Sequence, residues 1–371
     1  MKKSNRIVVI SLVSILLVSL LFIVILREKK TGKDEKQNAP QREVDILYNQ
    51  YITDTENKEK ELDSSVKQRE DLKLVNVKNI YDDSLENDNP TFPSLDCGKE
   101  KVEFTLIPDP YRKEADENLI FEDHIGTQVI NKANNKIIQK EEVLYRFLGI
   151  SKFTFRNTDY YITEEYTGGA HCCSEQRVIS CKDGKVNIGG AVDFASNGGL
   201  GDFFIKNNQV YFTKIVGVFD YFNLSYSQSG GMEFPAFYKL DINSNKFINA
   251  SNEFPEYYSE LVKQQNEWLV KLKNYQPSFF NGAEELWYYP LIKRLTASYL
   301  SGENEEIYKK QFVDDFNYFI DDSFVGKQQF LFPIAKKDIE NIFNDAMKIL
   351  IDNDRDATTG ILLMDKYKYI K

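Results

Sequence analysis

The spacing of apolar residues changes three times along the chain and predicts four regions of different structure. Residues 7–26 form an unbroken apolar run, and residues 27–95 are polar and charged, with one short helix-like apolar stripe. From residue 96 to residue 255 short runs alternate between apolar and polar positions, as β-strands do. In residues 256–371 apolar residues recur every three or four positions, as on one face of a helix. We therefore predict an α+β protein with a transmembrane helix, a charged and partly helical stalk, an antiparallel β-rich domain and a small α-helical domain.

The apolar run from Ile7 to Leu26 predicts a membrane anchor. It holds twenty residues without a charge, a proline or a glycine, and a basic head, residues 1–6, precedes it. At ~1.5 Å per residue, a helix of this length spans a hydrocarbon core of ~30 Å. A cleaved signal peptide is the alternative, but its apolar core is normally ~7–15 residues and ends at a small-residue cleavage site. This run ends in Ile25-Leu26-Arg27-Glu28, which favours an uncleaved anchor in contact with the lipid bilayer.

The orientation of this anchor is predicted by two arguments that conflict. Arg27, Lys29 and Lys30 follow the helix at least as densely as basic residues precede it, and the positive-inside rule then places the body in the cytoplasm. Against this, a short basic head before a first apolar helix resembles a secretory leader, and the cysteines suit an oxidising compartment. We favour the second argument, which predicts a single-pass membrane protein with a periplasmic or extracellular body.

Between residues 96 and 255, alternating runs predict short β-strands joined by hairpin turns. Val102, Phe104 and Leu106, for example, are separated by Glu103 and Thr105. Several runs are separated by Asn, Asp or Gly, which tolerate the positive φ angles that tight hairpins require. Repeated hairpins predict an antiparallel sandwich or a propeller-like unit. The other predicted strands are Gln128–Ile130, Val143–Phe147, Lys152–Phe155, Tyr160–Glu164, Arg177–Ser180, Lys185–Ile188, Phe203–Ile205, Val210–Ile215, Phe237–Ile242 and Lys246–Ile248, and the predicted turns are Asn134-Asn135, Asp183-Gly184, Asn207-Asn208 and Asn243-Ser244-Asn245.

After Pro255, four apolar stripes with helical spacing predict a small helical domain. Each stripe is a surface that must pack against another element. Pro290 lies within the second stripe and is expected to start or kink a helix, because proline has no backbone N–H. The stripes run over residues 257–275, 286–300, 307–320 and 339–350.

Composition narrows the possible functions. The formal net charge is −10, although the first thirty residues carry six basic residues and one acidic residue. An acidic body repels phosphate backbones, so we expect no nucleic-acid partner. The chain has only two His and four Cys, and no serine, zinc or aspartic hydrolase signature is present. No catalytic residue can be assigned from these patterns, and no cofactor is predicted.

One short segment stands out, Tyr166-Thr167-Gly168-Gly169-Ala170-His171-Cys172-Cys173. It resembles a Gly-Gly-Ala-His-Cys-Cys motif found in poorly characterised bacterial extracytoplasmic proteins, which are often β-rich. The resemblance implies an exported β-rich domain and brings no activity with it. The candidate ligand contacts are Gly168, Gly169 and His171, together with the aromatic stretch Phe219-Asp220-Tyr221-Phe222.

The cysteines Cys97, Cys172, Cys173 and Cys181 suggest two disulfides in an exported domain. If Cys173 to Cys181 is one strand, these residues are about 26 Å apart, and Cys181 must pair with Cys97. Cys172 and Cys173 would then form a vicinal disulfide. If a turn falls near Glu175, Cys181 instead pairs with one of the adjacent two and Cys97 with the other.

Two other interpretations use the same motif. His171, Cys172, Cys173 and Cys181 are a possible zinc set, but adjacent cysteines on a strand point apart, so we predict no metal site. A nucleophilic Cys172 or Cys173 would need His171 or His124 as its base.

The sequence therefore predicts a membrane-anchored extracytoplasmic binding or scaffold protein, whose unknown ligand is a protein or an envelope component. The alternative is an extracytoplasmic hydrolase or thiol-dependent enzyme that uses residues 168–173. A third possibility is a subunit of a membrane assembly.

Overall fold

A computed structural model describes residues 42–54, 57, 72–82, 92–108, 124–144, 146–166, 174–193, 201–216, 234–275, 279, 283–320 and 336–355. The chain divides into two compact units, Met1–Lys58 and Glu59–Lys371. In the first unit, residues 42–54 form helix α1, and its buried residues Val44, Leu47 and Tyr51 recur at helical spacing. The predicted anchor, residues 7–26, lies outside the described residues. Among the helices within them, none is long and apolar enough to cross a membrane.

The described residues of the second unit form fifteen strands, which supports the predicted α+β class with mostly antiparallel sheets before C-terminal helices. The strands are β1 Leu72–Leu74, β2 Lys78–Asp82, β3 Leu95–Asp96, β4 Glu100–Pro108, β5 His124–Ala133, β6 Lys136–Leu144, β7 Arg146–Phe155, β8 Thr158–Tyr166, β9 Ser174–Lys182, β10 Lys185–Ile188, β11 Val192–Asp193, β12 Phe203–Lys206, β13 Gln209–Val216, β14 Phe234–Asp241 and β15 Lys246–Asn249.

These strands form three successive antiparallel meanders of four strands. Sheet I has the order β3-β4-β5-β6. Sheet II has the order β10-β9-β8-β7-β2, with β11 also paired to β9. Sheet III has the order β1-β12-β13-β14-β15. Strands β1 and β2 are therefore edge additions to meanders that lie later in the chain.

The three sheets are stacked face to face, with sheet II in the middle. Side chains alternate along a strand, so each strand of sheet II supplies residues to two cores. One face packs on sheet I through a core that includes Val102, Val129, Ile150, Tyr161 and Ile179. The other face packs on sheet III through a core that includes Phe153, Ile162, Val178, Phe212 and Phe247.

The predicted stalk, residues 27–95, is wrong for the part of it that forms β1 and β2. Leu72–Leu74 pairs with β12, and Lys78–Asp82 pairs with β7. Both strands obtain their hydrogen bonds from partners about seventy to 130 residues later in the chain. Their own short and largely exposed sequences carry little alternation, so the local pattern could not reveal them.

The helices follow the sheets and cover the outer face of sheet III. Phe204 and Phe237 of sheet III pack with Phe254, Tyr258 and Leu261. The helices are α2 Pro255–Leu272, α3 Glu285–Ser301, α4 Glu305–Phe319 and α5 Ile339–Arg355, with 3-10 turns at Ser251–Glu253 and Lys336–Asp338.

Pro290 lies inside α3 rather than at its start. A proline at this position cannot donate to the carbonyl of Leu286, four residues earlier. The indole N–H of Trp268 in α2 donates to that carbonyl instead, at 3.1 Å. The neighbouring helix thus satisfies the acceptor that the proline leaves without its usual donor.

Tight turns gather at one end of the stack, which we call the tight-turn end. Asn134-Asn135, Asp183-Gly184, Asn207-Asn208 and Asn245 lie in turns there, and each of these residues has a positive φ. Arg156-Asn157 joins β7 to β8 with two positive φ angles, and the sequence did not predict this turn. The opposite end, which we call the loop end, is where the long connections 109–123, 167–173 and 217–233 leave the strands.

The tight-turn end is fastened by bonds between sheets. Cys97 and Cys181 form a disulfide between the β3–β4 turn and β9, with Cα atoms 5.3 Å apart. The guanidinium of Arg156 donates to the carbonyl of Asn208 at 2.7 Å, which joins sheet II to sheet III. The buried Asn245 side chain donates to two carbonyls of sheet II, those of Val178 at 2.9 Å and Asn187 at 2.8 Å.

Candidate functional site

Polar side chains replace apolar ones at the loop end of the core between sheets II and III. Along β8 the inward series continues from Ile162 to Glu164, and along β13 it continues from Phe212 to Lys214. Along β9 the residue before Val178 on the same face is Gln176, which is directly opposite Glu164 in the strand register. Because side chains two apart share a face, the three polar residues face the same core. We call Glu164, Gln176 and Lys214 the polar triad.

The triad bridges the two sheets through a cation and an anion. Lys214 Nζ lies 4.0 Å from Glu164 Oε1. The Lys214 side chain is fully buried, whereas that of Glu164 is 17% exposed. Solvent therefore reaches the pair from the side of the carboxylate.

Burial changes the acid–base behaviour of the lysine. Desolvation lowers the pKa of Lys214 to about 8, and the carboxylate of Glu164 opposes that shift. An amine with a pKa near neutrality has a substantial neutral fraction, which can accept a proton or attack an electrophile. Lys214 is therefore chemically distinct from a surface lysine.

Gln176 adds an unsatisfied amide to the triad. Its side chain is 0% exposed, and neither its amide nitrogen nor its amide oxygen has a hydrogen-bond partner in the structure. Leaving a buried polar group without a partner costs about 1–3 kcal/mol. The amide can donate and accept at the same time, so a polar group that fits beside it would recover this energy.

A second polar cluster lies on the opposite face of sheet II, toward sheet I. Thr163 donates its hydroxyl hydrogen to Glu165 at 2.6 Å, and Arg177 Nε lies 3.4 Å from the same carboxylate. Arg177 also lies 3.6 Å from Glu141 of β6. Burial raises the pKa of Glu165, and Arg177 and Thr163 oppose that shift.

Adjacent glutamates thus serve two separate clusters. Glu164 faces Lys214, whereas Glu165 faces Arg177, as the alternation of a strand predicts. The two carboxylates do not form one acid–base pair.

The predicted ligand contacts Gly168, Gly169 and His171 lie outside the described residues, as do Cys172, Cys173 and residues 219–222. Their place along the chain is still informative. Residues 167–173 join Tyr166 to Ser174, which are paired in register at the loop end. His124, the other histidine, is the first residue of β5 and is paired with Pro108 at the same end.

The cysteine pairing matches the alternative in which the region before Cys181 is one strand. Ser174–Lys182 is a single strand, and Cys181 is bonded to Cys97. A zinc site with Cys181 as a ligand is therefore excluded, because its sulfur is oxidised and lies about 23 Å along β9 from Ser174. Within the described ranges, no three His, Cys, Asp or Glu residues are grouped to hold a metal.

The sequence patterns described above do not predict the polar triad, although the sequence carries a signal of it. Lys214 and Gln176 occupy positions where strand alternation calls for an apolar side chain. Polar residues at inward positions near the same end of two strands indicate a site, because a buried polar side chain is costly without a partner. Comparison of the chain with protein-family models, curated proteins and solved structures finds no match.

Proposed function

We propose that this protein is a membrane-anchored extracytoplasmic binding protein that holds a small polar ligand at the loop end, between sheets II and III. The polar triad supplies the contacts. Lys214 provides a cation, Glu164 provides an anion, and the amide of Gln176 provides a donor and an acceptor. Ligand sites typically combine an apolar wall with a few convergent polar groups of this kind. The apolar wall here is the core of Ile162, Val178 and Phe212.

The unsatisfied amide of Gln176 is the observation that carries this proposal. A purely structural core position would be filled more stably by an apolar side chain. A ligand that pairs with the amide explains why a polar residue occupies it. The position at the loop end supports the same function, since β8 ends at Tyr166, two residues beyond Glu164.

The proposed location rests on two separate features. Ile7 to Leu26 has the length and composition of a membrane-spanning helix. The Cys97–Cys181 disulfide is of the kind that forms and persists in oxidising compartments. We infer in addition that the stack is propeller-like, because successive four-stranded meanders pack face to face.

The test of the binding site is the substitution Gln176→Met in the full chain. Removing the unsatisfied amide is expected to raise the free energy of unfolding by about 1 kcal/mol, measured by urea denaturation. Gln264→Met is the matched control, because Gln264 in α2 is also buried with an unpartnered amide and lies away from the triad. Loss of stability in Gln176→Met would show that the amide has a structural role and would refute the site.

A binding measurement on the same variants completes the test. Small polar compounds, namely amino acids, monosaccharides and 2-oxo acids, are added separately while the melting temperature is measured. At least one class is expected to stabilise the wild type and Gln264→Met but not Gln176→Met. An equal response from all three proteins contradicts binding at the triad.

The location is tested by adding a protease to intact cells and to cells with a permeabilised envelope. Degradation of the body before the cytoplasmic membrane is breached is expected, because the body is placed outside it. Protection until lysis would reverse the predicted orientation. If the protein is extracted into buffer without detergent while residues 1–30 are intact, the prediction of a membrane anchor is refuted.

A further inference from the structure

Lys214 differs from the exposed lysines of this protein in both its environment and its neighbours. Its side chain is fully buried at the junction of two sheets, whereas those of Lys263 and Lys310 are 68% and 79% exposed. The nearby Glu164 carboxylate is the partly exposed member of the pair. A ligand that enters past Glu164 would therefore meet the ammonium group of Lys214.

The geometry points to covalent capture: we propose that Lys214 binds a small carbonyl compound, an aldehyde or a 2-oxo acid, as a reversible imine. This inference rests on the proposed binding function and names its ligand class. Glu164 lies close enough to exchange a proton with the amine with little movement. Gln176 lies opposite Glu164 in the strand register and offers its unpartnered amide to the oxygen atoms of the ligand.

The reaction needs no partner beyond the ligand. Glu164 accepts a proton from the Lys214 ammonium, and the neutral amine then attacks the carbonyl carbon to give a carbinolamine. Glu164 returns the proton to the new hydroxyl group, which leaves as water while the nitrogen–carbon double bond forms. The nitrogen keeps one hydrogen, and the other two leave with the carbonyl oxygen. The lowered pKa of Lys214, about 8, favours the neutral amine that the first step requires.

The test is reductive trapping with glyoxylate and cyanoborohydride on the full chain. Peptide mass spectrometry then locates any carboxymethyl group on lysine. Lys214 is expected to be modified about tenfold faster than Lys263 or Lys310. Lys214→Arg keeps the charge and is expected to lose the fast modification, and Glu164→Gln is expected to slow it. The circular dichroism spectrum of each variant confirms that it is folded.

Several results would overturn the inference, and some of them separate it from the proposed binding function. If Lys214 of the wild type is modified no faster than the exposed lysines, the inference is overturned. This result does not depend on whether the variants fold. The inference is also overturned if the Lys214→Arg variant is modified at another lysine as fast as the wild type is at Lys214. If glyoxylate raises the melting temperature of the wild type but not of Gln176→Met while Lys214 stays unmodified, non-covalent binding stands and imine formation fails. If glyoxylate gives neither effect but another compound passes the Gln176→Met test, the binding function stands without a carbonyl ligand.

Discussion

The two ends of the stacked sheets are built from different interactions. At the tight-turn end, neighbouring sheets are joined by a disulfide and by hydrogen bonds of 2.7–2.9 Å from Arg156 and Asn245. At the loop end, the sheets are joined by charged pairs at 4.0 Å and 3.6 Å, and a buried amide has no partner. The tight-turn end is thus held by a covalent bond and short hydrogen bonds, although Asn245 Oδ1 has no partner there, whereas at the loop end both amide atoms of Gln176 lack one.

This difference shows how one end of a fold can provide stability while the other end provides a binding site. A region held by a covalent bond and short hydrogen bonds has less to gain from a ligand than one in which a whole side-chain amide lacks partners. Proteins commonly accept such local costs at functional sites. The tight-turn end fixes the spacing of the sheets, and the loop end can then keep polar groups in a defined place.

The largest expected effect on stability is at the tight-turn end. Removal of the disulfide there would reduce the difference in stability between the two ends. The bond joins residues 84 apart in the sequence. A loop of that size predicts a loss of about 4 kcal/mol in the free energy of unfolding for the double variant Cys97→Ser/Cys181→Ser. Urea denaturation measures this loss, and Cys172→Ser/Cys173→Ser serves as the control that keeps the bond. A loss below about 1 kcal/mol would mean that the sheets hold together without it.

A medium effect is expected from Asn245→Ala, which removes the side-chain bonds between sheets III and II. One buried and one partly buried hydrogen bond are lost, and alanine tolerates the φ of +54° poorly, so a loss of about 2 kcal/mol is expected. Asn245→Gly relieves the backbone strain alone and should recover only part of it. Asn243→Ala, an exposed change in the same turn, should be nearly neutral; a similar loss there would assign the effect to the turn itself.

The smallest effect is expected at the loop end, in the pH dependence of Glu165→Gln. Burial raises the pKa of Glu165 in the folded protein. The stabilisation by its neutral form is therefore fully present below the pKa of glutamate in the unfolded chain, about 4.3. That stability is lost as the pH rises through the folded pKa, and Arg177 limits the loss. The variant should therefore gain on the wild type as the pH increases from 4 to 8 in urea denaturation.

Glu103→Gln is the control of opposite sign for this comparison. Hydrogen bonds from Lys132 and Lys101 lower the pKa of Glu103, so its contribution is present above the unfolded pKa and is lost as the pH falls. The Glu103→Gln variant should lose stability relative to the wild type as the pH rises. The same sign for both variants would contradict the assigned environment of Glu165.

The sequence predicted those parts of the fold that local pattern determines. Runs such as Val210–Ile215 and Lys185–Ile188 lie in strands, and Asn134-Asn135 and Asn207-Asn208 form turns with positive φ. The turn at Arg156-Asn157 was missed because arginine rarely adopts a positive φ. Edge strands β1 and β2 were missed because their partners are distant in the chain.

The candidate site was less predictable, because it depends on how separate strands meet. The alternation of a strand accounts for Glu164 and Glu165 facing opposite sides of sheet II. It could not place Lys214 beside Glu164, since these residues belong to different sheets and are fifty positions apart. The unpartnered state of Gln176 depends on every side chain packed around it, and no local pattern encodes that.

The position of the tryptophans in the helices has a practical consequence for spectroscopy. The chain has two tryptophans: Trp268 lies in helix α2 and Trp287 in helix α3. Their fluorescence emission therefore follows the helices, while the sheets contribute only tyrosine and phenylalanine. Comparing tryptophan emission with far-ultraviolet circular dichroism during denaturation would report whether the helices and the sheets unfold together.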